Sequence, residues 1–530
     1  MFTLFTSFAY PQKINVNWTK TFASPFNNSN DLVSAIYVDA SGDLIIVGTV
    51  VNNSNDRGIQ LLKYTGIDGN LIIDSRYITP YCCTNAYDVA VGPDLNIYIA
   101  GYDNRFTSLF KYNVITQSFS QTQVAISDDE IRQSLLSIDN TGNIYITCSY
   151  LYFNQFGGDN KLVTKKYSPN LTALANHSYG SASSYNYNRP YDMKIIQGNI
   201  YIAGRLHSTS HTDFGLLKYD SLLNLKWVRT YNGSASEGDT SKSLTFDSEN
   251  NIILVGTSTE TGSGSDITTI KYDDSGSEIW KRHFNGSGNG NDQAVEVIID
   301  DDDVFVLGRV WNGSDYDGVL IKYDSAGTLQ WNKTIAGLPG TDEIISTMLS
   351  SEGVILVGGG LKLDTSSGYD FFMKAYTING DFAFSEYYNG AGNGDDYIVD
   401  MKTNNYGEIF VSGNSMGPNS NFDIVTIMYT DMVNVNQISG NIPSSFSLHQ
   451  NYPNPFNPTT SIKFKVKSLK DVKLSVYNNI GKEVAVLVNE KLSAGEYEYQ
   501  FDGSNLSSGV YFYRLLAGEF VETRKMVLMK

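Results

Sequence analysis

His207 and His211, with Asp213 two residues further on, have the residue types and near-spacing of metal ligands. Four-residue spacing brings two imidazoles onto one face only in a helix, and the flanks here read as a loop leading into a strand, so exposed loop histidines are expected. Asp300-Asp301-Asp302-Asp303 offers carboxylate oxygens to a hard cation, yet it stands where a turn is due and lacks the spaced ligands of an EF-hand. A solvated turn is expected. Asp239, Asp292, Asp342 and Asp395 recur at intervals of 53, 50 and 53 residues, and two carboxylates at the right separation are the machinery of sugar hydrolysis. These four follow a repeat instead of interrupting it, and they border Gly-rich loops such as Gly286-Ser-Gly-Asn-Gly290, so capping of those loops is the expected role.

Tyr150, Tyr152, Phe153, Tyr185, Tyr187, Trp311 and Tyr316 fall in stretches that read as long, unequal loops rich in Ser, Asn and Gly. Aromatic faces beside amides and carboxylates stack on sugars or build protein interfaces, the alternative being packing within the loops themselves. Tyr150, Tyr152, Tyr185, Tyr187, Trp311 and Tyr316 are therefore the candidate ligand-binding residues. Adjacent Cys82 and Cys83 read as thiols rather than a strained vicinal disulfide, and three cysteines, counting Cys148, make no disulfide framework and no metal spacing. No Ser-His-Asp order, phosphate loop or dinucleotide fingerprint stands in a suitable strand–helix setting. No catalytic residue, metal or cofactor is assigned, and the protein is read as a non-enzyme.

The elements that would position these residues come from a repeat. A Lys-Tyr strand end recurs at Tyr64, Tyr112, Tyr167, Tyr219, Tyr272 and Tyr323, with degraded copies at Tyr376 and Tyr429, at intervals of 48 to 55 residues. An Asp precedes the tyrosine by six residues at Asp213, Asp266, Asp317, Asp370 and Asp423. Trp18, Trp227, Trp280 and Trp331 are each followed two places on by a cation, Lys20, Arg229, Arg282 or Lys333. Each unit holds four short strand signals. The second reads as closing on glycine in seven copies (Gly48, Gly101, Gly204, Gly256, Gly308, Gly358 and Gly413), with Cys148 in the third copy, which predicts a close-packed exit or a positive φ. Asp39-Ala-Ser-Gly42, Asp139-Asn-Thr-Gly142, Asp273-Asp-Ser-Gly276 and Asp324-Ser-Ala-Gly327 have the Asp-first, Gly-fourth chemistry of type I turns.

Four antiparallel strands repeated about eight times predict an all-β, eight-bladed β-propeller over residues 18–433, with seven blades as the alternative. Trp18 matches a fourth strand while the last unit stops at Tyr429, so the N-terminal strand is expected to complete the final blade. The second-strand glycine, the Asp-to-Lys-Tyr strand and the Tyr-Asp-x-x-Gly…Trp turn resemble the bacterial SBBP β-propeller repeat, a likeness that implies the fold and no ligand. Residues 1–17 read as a shortened or mis-started export signal, the alternative being a plain first strand.

The chain has 530 residues and a formal net charge of −18. Residues 434–530 carry eleven Lys or Arg against eight Asp or Glu, leaving 27 basic and 48 acidic residues, a charge of −21, on the rest. That field opposes binding to nucleic acid or to an anionic bilayer, and no apolar run is long enough for a membrane-spanning helix. Residues 434–450 lie in a stretch without Asp, Glu, Lys or Arg and read as a linker.

Beyond it, strand-like runs from Thr460 to Leu528 predict a small Ig-like β-sandwich over 451–530. Asn454-Pro455-Phe456-Asn457-Pro458, Thr460, Ile462, Phe464, Val476-Tyr477, Gly481, Gly495, Leu506, Gly509-Val510-Tyr511 and the tail Lys525-Met526-Val527-Leu528-Met529-Lys530 closely resemble the type A C-terminal sorting domain of the type IX secretion system. The resemblance implies export, recognition by the secretion machinery at the outer membrane, and removal of the domain by a surface sortase-like peptidase between Asn434 and His449. The expectation is a secreted or surface-attached binding or scaffold protein with a glycan or protein ligand. A secreted carbohydrate-active enzyme and a structural adhesin-like module are the alternatives.

Overall fold

The computed structural model describes residues 14–530 apart from 27–28, 53, 55, 80–82, 127–133, 155–156, 181–187, 208–210, 338–342, 350–352, 364–367, 420, 431–434, 440–442, 444, 469, 493–494, 504–505 and 519. Tyr185, Tyr187, Cys82, Asp342 and most of the segment read as an export signal lie outside the described residues. Among the described residues the regular elements are all strands, and no helix is long and apolar enough to cross a membrane. The chain divides into two compact units, Val16–Thr430 and, with a short N-terminal stretch, Asp431–Lys530.

In the first unit the described strands form eight four-stranded sheets. Sheet 1 shows the plan: Leu32–Val38, Leu44–Val51, Arg57–Tyr64 and Leu71–Ile78 pair antiparallel in chain order. Sheets 2 to 7 repeat it over 84–126, 134–179, 189–231, 240–284, 293–335 and 343–388. The first strand of each sheet lies beside the first strand of the next, and Asp396–Thr403 of sheet 8 lies beside Leu32–Val38, which makes a propeller-like ring. Sheet 8 takes its outer strand, Asn15–Phe22, from the other end of the chain. Residues 15–17, within the stretch read as an export signal, thus belong to a strand.

The middle strands read as unbroken apolar runs because both their faces are covered. Leu44 and Ile46 pack with Trp18, Phe410 and Met428 toward sheet 8, while Ile45 and Val47 pack with Val89, Ile97 and Phe110 toward sheet 2. Similar clusters join the other described neighbours, so the core lies in the seams between sheets.

The glycine of the second strand sits inside that strand, not at its end. In sheet 1 Gly48 faces Val33, and the pairing then skips Ser34, a β-bulge; the same skip stands opposite Gly101, Gly204, Gly256, Gly308 and Gly413. A Cβ on Gly256 would lie 2.1 Å from the carbonyl oxygen of Thr240, and one on Gly48 2.2 Å from that of Leu32, so the requirement is close backbone approach at the bulge and not a positive φ. In sheet 7 the bulge faces Gly359, one residue beyond the glycine picked out by spacing. Sheet 3, with Cys148, pairs Ser134 with Cys148 and Leu135 with Thr147 without a skip. Where the bulge is missing, a side chain fits.

The turn aspartates hold the predicted turns: Asp39 accepts hydrogen bonds from the amides of Ser41 and Asp43, and Asp324 from those of Ala326 and Thr328. Gly42, Gly142, Gly276 and Gly327 have φ between 78° and 85°.

The second unit is a two-sheet sandwich. Val435–Ser439, Gly495–Asp502, Thr459–Val466 and Ser447–Leu448 form one sheet; Glu483–Leu492, Lys470–Tyr477, Gly509–Ala517 and Phe520–Leu528 form the other. Two of these strands fall inside the stretch read as a linker, and Leu448 is buried in the sandwich core with Phe456, Ile462, Leu474 and Tyr513. The composition of 434–450 lacks charge because part of it is interior.

Candidate functional site

Several of the described loops lie before the first strand or after the second strand of a sheet. Buried carboxylates organise them. Asp292 is fully buried and accepts from the amides of Gly286 (2.5 Å) and Trp311 (2.8 Å). Asp239 does the same with Gly233 and Thr259, and Asp396 with Gly390 and Met416. Asp31 holds the amide of Ser24 in sheet 1. Capping is thus the role these carboxylates play, but the residue in phase is Asp396; Asp395 is exposed and takes the Tyr369 amide. Burial raises the pKa of Asp239, Asp292 and Asp396 against the lowering effect of those amides.

Asp300 and Asp303 pair across a tight turn whose central residues Asp301 and Asp302 have φ of 47° and 65°, the type I′ pattern. Asp303 pairs with Lys322 at 2.7 Å and Asp302 accepts from Ser248, so the acidic run is engaged within the ring. His207 ends a strand, its amide bonded to Asn188, and His211 precedes the next. Among the described residues no group of three or more His, Cys, Asp or Glu side chains is placed to hold a metal ion.

The aromatic candidates sit on hairpin arms more than on loops. Ile144–Asn154 and Gly157–Tyr167 pair over their whole length, putting Tyr150 opposite Lys161, Tyr152 opposite Asp159 and Phe153 opposite Gly158. Trp311 and Tyr316 face each other across the end of a hairpin, ring centroids 5.2 Å apart at 63°. The Arg309 guanidinium lies 5.3 Å from the Tyr316 ring centre, and Gly290 packs so close to Trp311 that a Cβ would lie 2.4 Å from its ring. Trp311 therefore joins the Gly-rich loop to the hairpin while staying half-exposed.

A second acidic set escaped the sequence reading. Asp88, Asp192, Glu296 and Asp400 follow the bulge in the first strands of sheets 2, 4, 6 and 8 and are each 104 residues apart, a two-sheet period. Asp88 accepts from the amide of Leu136 and Asp192 from that of Leu244, each in the next sheet's first strand. Burial pushes the Asp88 carboxyl up to about 6. Burial would lower the Lys402 ammonium, but Asp400, Glu296 and Asp88 outweigh it and raise its pKa. The signal in the sequence is a period of 104 residues, twice that of the strand repeat.

The motifs of the second unit converge. Asn454 Oδ1 accepts from the Val527 amide (3.0 Å), Phe456 and Val527 share a backbone bond, and the Met529 amide reaches the Phe456 carbonyl. Phe456, Tyr511, Met526 and Leu528 are buried together, with Gly509 paired to Leu528 and Tyr511 to Met526. The Lys530 amide donates to Ser508 Oγ. Gly481 (φ 81°) closes a turn beside a groove of about 280 Å³ lined by Tyr477, Phe512 and Arg514.

Residues 450–529 match the family of secretion-system C-terminal sorting domains. The chain accordingly carries the sorting domain of a secreted protein. No curated protein matches the chain. Among solved structures it is similar to PorZ, an essential bacterial surface component of the type-IX secretion system of Porphyromonas gingivalis (11% identity, 94% of this chain and 93% of that one, TM-score 0.26). It is also similar to the Pyrococcus horikoshii acylaminoacyl peptidase (10%, 72% and 57%, TM-score 0.38) and to Drosophila Plexin A in complex with Semaphorin 1b (7%, 79% and 88%, TM-score 0.39). At these scores none of the three carries an argument about function.

Proposed function

We propose that the chain is exported through the type IX secretion system by its C-terminal sandwich and acts at the cell surface as a non-catalytic binding module built on an eight-bladed, SBBP-like β-propeller. The observation that carries the non-catalytic reading is the state of the repeating carboxylates: in Asp239, Asp292 and Asp396 both oxygens are taken by backbone amides of the loops. A general acid or nucleophile must present an oxygen to substrate, and these do not. The eight four-stranded sheets, and the outer strand borrowed from the N-terminus, support the blade count. The partners are the secretion machinery with its sortase-like peptidase, and a glycan or protein ligand met by the half-exposed Trp311 and Tyr316.

The test is a glycan array on the full chain, followed by a hydrolysis assay on every hit. Binding lost in Trp311→Ala without turnover is the expected result. Turnover that disappears in Asp292→Asn overturns the reading in favour of a carbohydrate-active enzyme. Asp292→Asn should instead cost about 1–3 kcal/mol of stability, because an amide cannot accept two backbone N–H groups with two oxygens.

A further inference from the structure

The residue at the first-strand bulge is Ser34, Tyr87, Tyr191, Val295, Ile345 and Val399 in sheets 1, 2, 4, 6, 7 and 8, and among the described bulges a cation, Lys242, stands there in sheet 5 alone. A bulge re-aims its side chain, and the first strands of sheets 4 and 5 are neighbours, so the Tyr191 ring and the Lys242 ammonium meet at one seam. The Lys242 ammonium lies 4.1 Å from the Tyr191 ring centre and the Arg189 guanidinium 5.4 Å from the same ring. Arg189 is directly opposite Arg205 in the strand pair, where the corresponding pairs are Thr240 with Thr257 and Gln293 with Arg309. Like charges directly opposite are destabilising in a sheet.

Among the described residues neither Arg189 nor Lys242 makes an ion pair, and Arg189 Nε is buried without a hydrogen-bond partner. Burial first, then the charges of Arg189 and Arg205, lower the pKa of Lys242. In a unit of charge −21, Arg189, Arg205 and Lys242 concentrate positive charge at one seam, and the open Arg189 donor can bond an anionic oxygen there.

We propose that Arg189, Tyr191 and Lys242, at the seam between sheets 4 and 5, form a binding site for a single oxyanion, a carboxylate or sulfate carried by an otherwise uncharged ligand. The excess of negative charge over the rest of the unit repels a polyanion, so the site takes one isolated anionic group. The inference rests on the reading of the ring as a binding module, but it is tested with small ions and stands apart from the array.

The full chain is treated with an amine-acylating reagent, and modification of Lys242 is followed by mass spectrometry with and without inorganic sulfate, at ionic strength balanced with chloride. Sulfate is expected to slow acylation of Lys242 several-fold and to raise the melting temperature, with neither effect in Arg189→Gln; Lys242→Arg should keep the thermal shift. Methyl glucuronide and N-acetylaspartate distinguish a sugar acid from a side-chain carboxylate, and methyl glucoside should do nothing. In the absence of anion Arg189→Gln should melt no lower than the parent, since it removes a like charge. Unchanged acylation with sulfate and both carboxylates, or equal protection in Arg189→Gln, overturns the proposal.

Discussion

Trp280, in the outer strand of one sheet, donates its indole N–H to the carbonyl of Ser325 in the turn of the next sheet, 3.1 Å away. Lys271, at the end of the strand paired with it, reaches the same oxygen at 3.2 Å, and Arg282 Nε donates to the carbonyl of Gly327 at 2.6 Å. Gly327, with φ 78°, lies against the Trp280 ring. The set recurs as Lys218, Trp227 and Arg229 on Asp274 and Gly276, as Lys322 and Trp331 on Ile378, and as Trp18 on Gly66 across the seam that joins the chain's two ends. Lys-Tyr, Trp-x-Arg and Asp-x-x-Gly are thus three parts of one latch between neighbouring sheets.

Trp280→Phe keeps much of the ring's packing and loses the donor, and it should destabilise the protein by roughly 0.5–1.5 kcal/mol. Trp280→Ala also leaves a cavity and should cost about 3–5 kcal/mol. Denaturant titration with Trp18→Phe as a parallel variant checks the claim: a loss in both that is confined to the donor supports a latch, and a neutral Trp280→Ala refutes it.

The first-strand bulge separates two equivalent positions of the repeat, Gly256 and Cys148. Gly256→Ala pushes a Cβ into the Thr240 carbonyl and should cost about 1–3 kcal/mol or more. Cys148→Ala, in the sheet whose first two strands pair without a bulge, removes a buried sulfhydryl and should cost about 1 kcal/mol. Thermal melts of the two variants, compared side by side, decide it.

Asp88 makes stability depend on pH. Its folded pKa, about 6, is above the ordinary 3.8, so between those values the folded state holds a proton that the unfolded chain has released. Stability therefore falls as pH rises from about 4 to 6, by up to about 3 kcal/mol from this group, and is level above that. Asp88→Asn should flatten that part of the curve; an unchanged slope would mean the carboxylate stays ionised on the amides of Val89 and Leu136 and near Lys402.

In the sorting domain, the Asn454 side chain and the Phe456 backbone tie the Pro-rich motif to the final strand. Asn454→Ala should weaken this tie by about 1 kcal/mol and lower surface display in proportion, read by protease accessibility on whole cells. Deleting Lys525 to Lys530 strips Met526 and Leu528 from the core and should trap the protein in the periplasm. Undiminished display of the deletion would sink the export assignment.

Much of this was legible in the amino-acid order alone. A period near fifty, strand-length apolar runs and turn aspartates with fourth-place glycines are local signals, and they carried the four-stranded unit, the borrowed outer strand and the capping role of Asp239 and Asp292. The sorting motif was legible too, because its residues occur in order within eighty positions. What the order could not express is which residues meet across a seam, since a neighbour there is some fifty residues away in sequence and its partner is a backbone carbonyl with no identity of its own. That is why Gly256 read as a strand end, why Asp395 stood in for Asp396, and why Asp88, Asp192, Glu296 and Asp400 went unnoticed. Periodicity is written into side chains one position at a time, whereas bulges, latches and the cationic seam of sheets 4 and 5 exist only once the sheets are packed against one another.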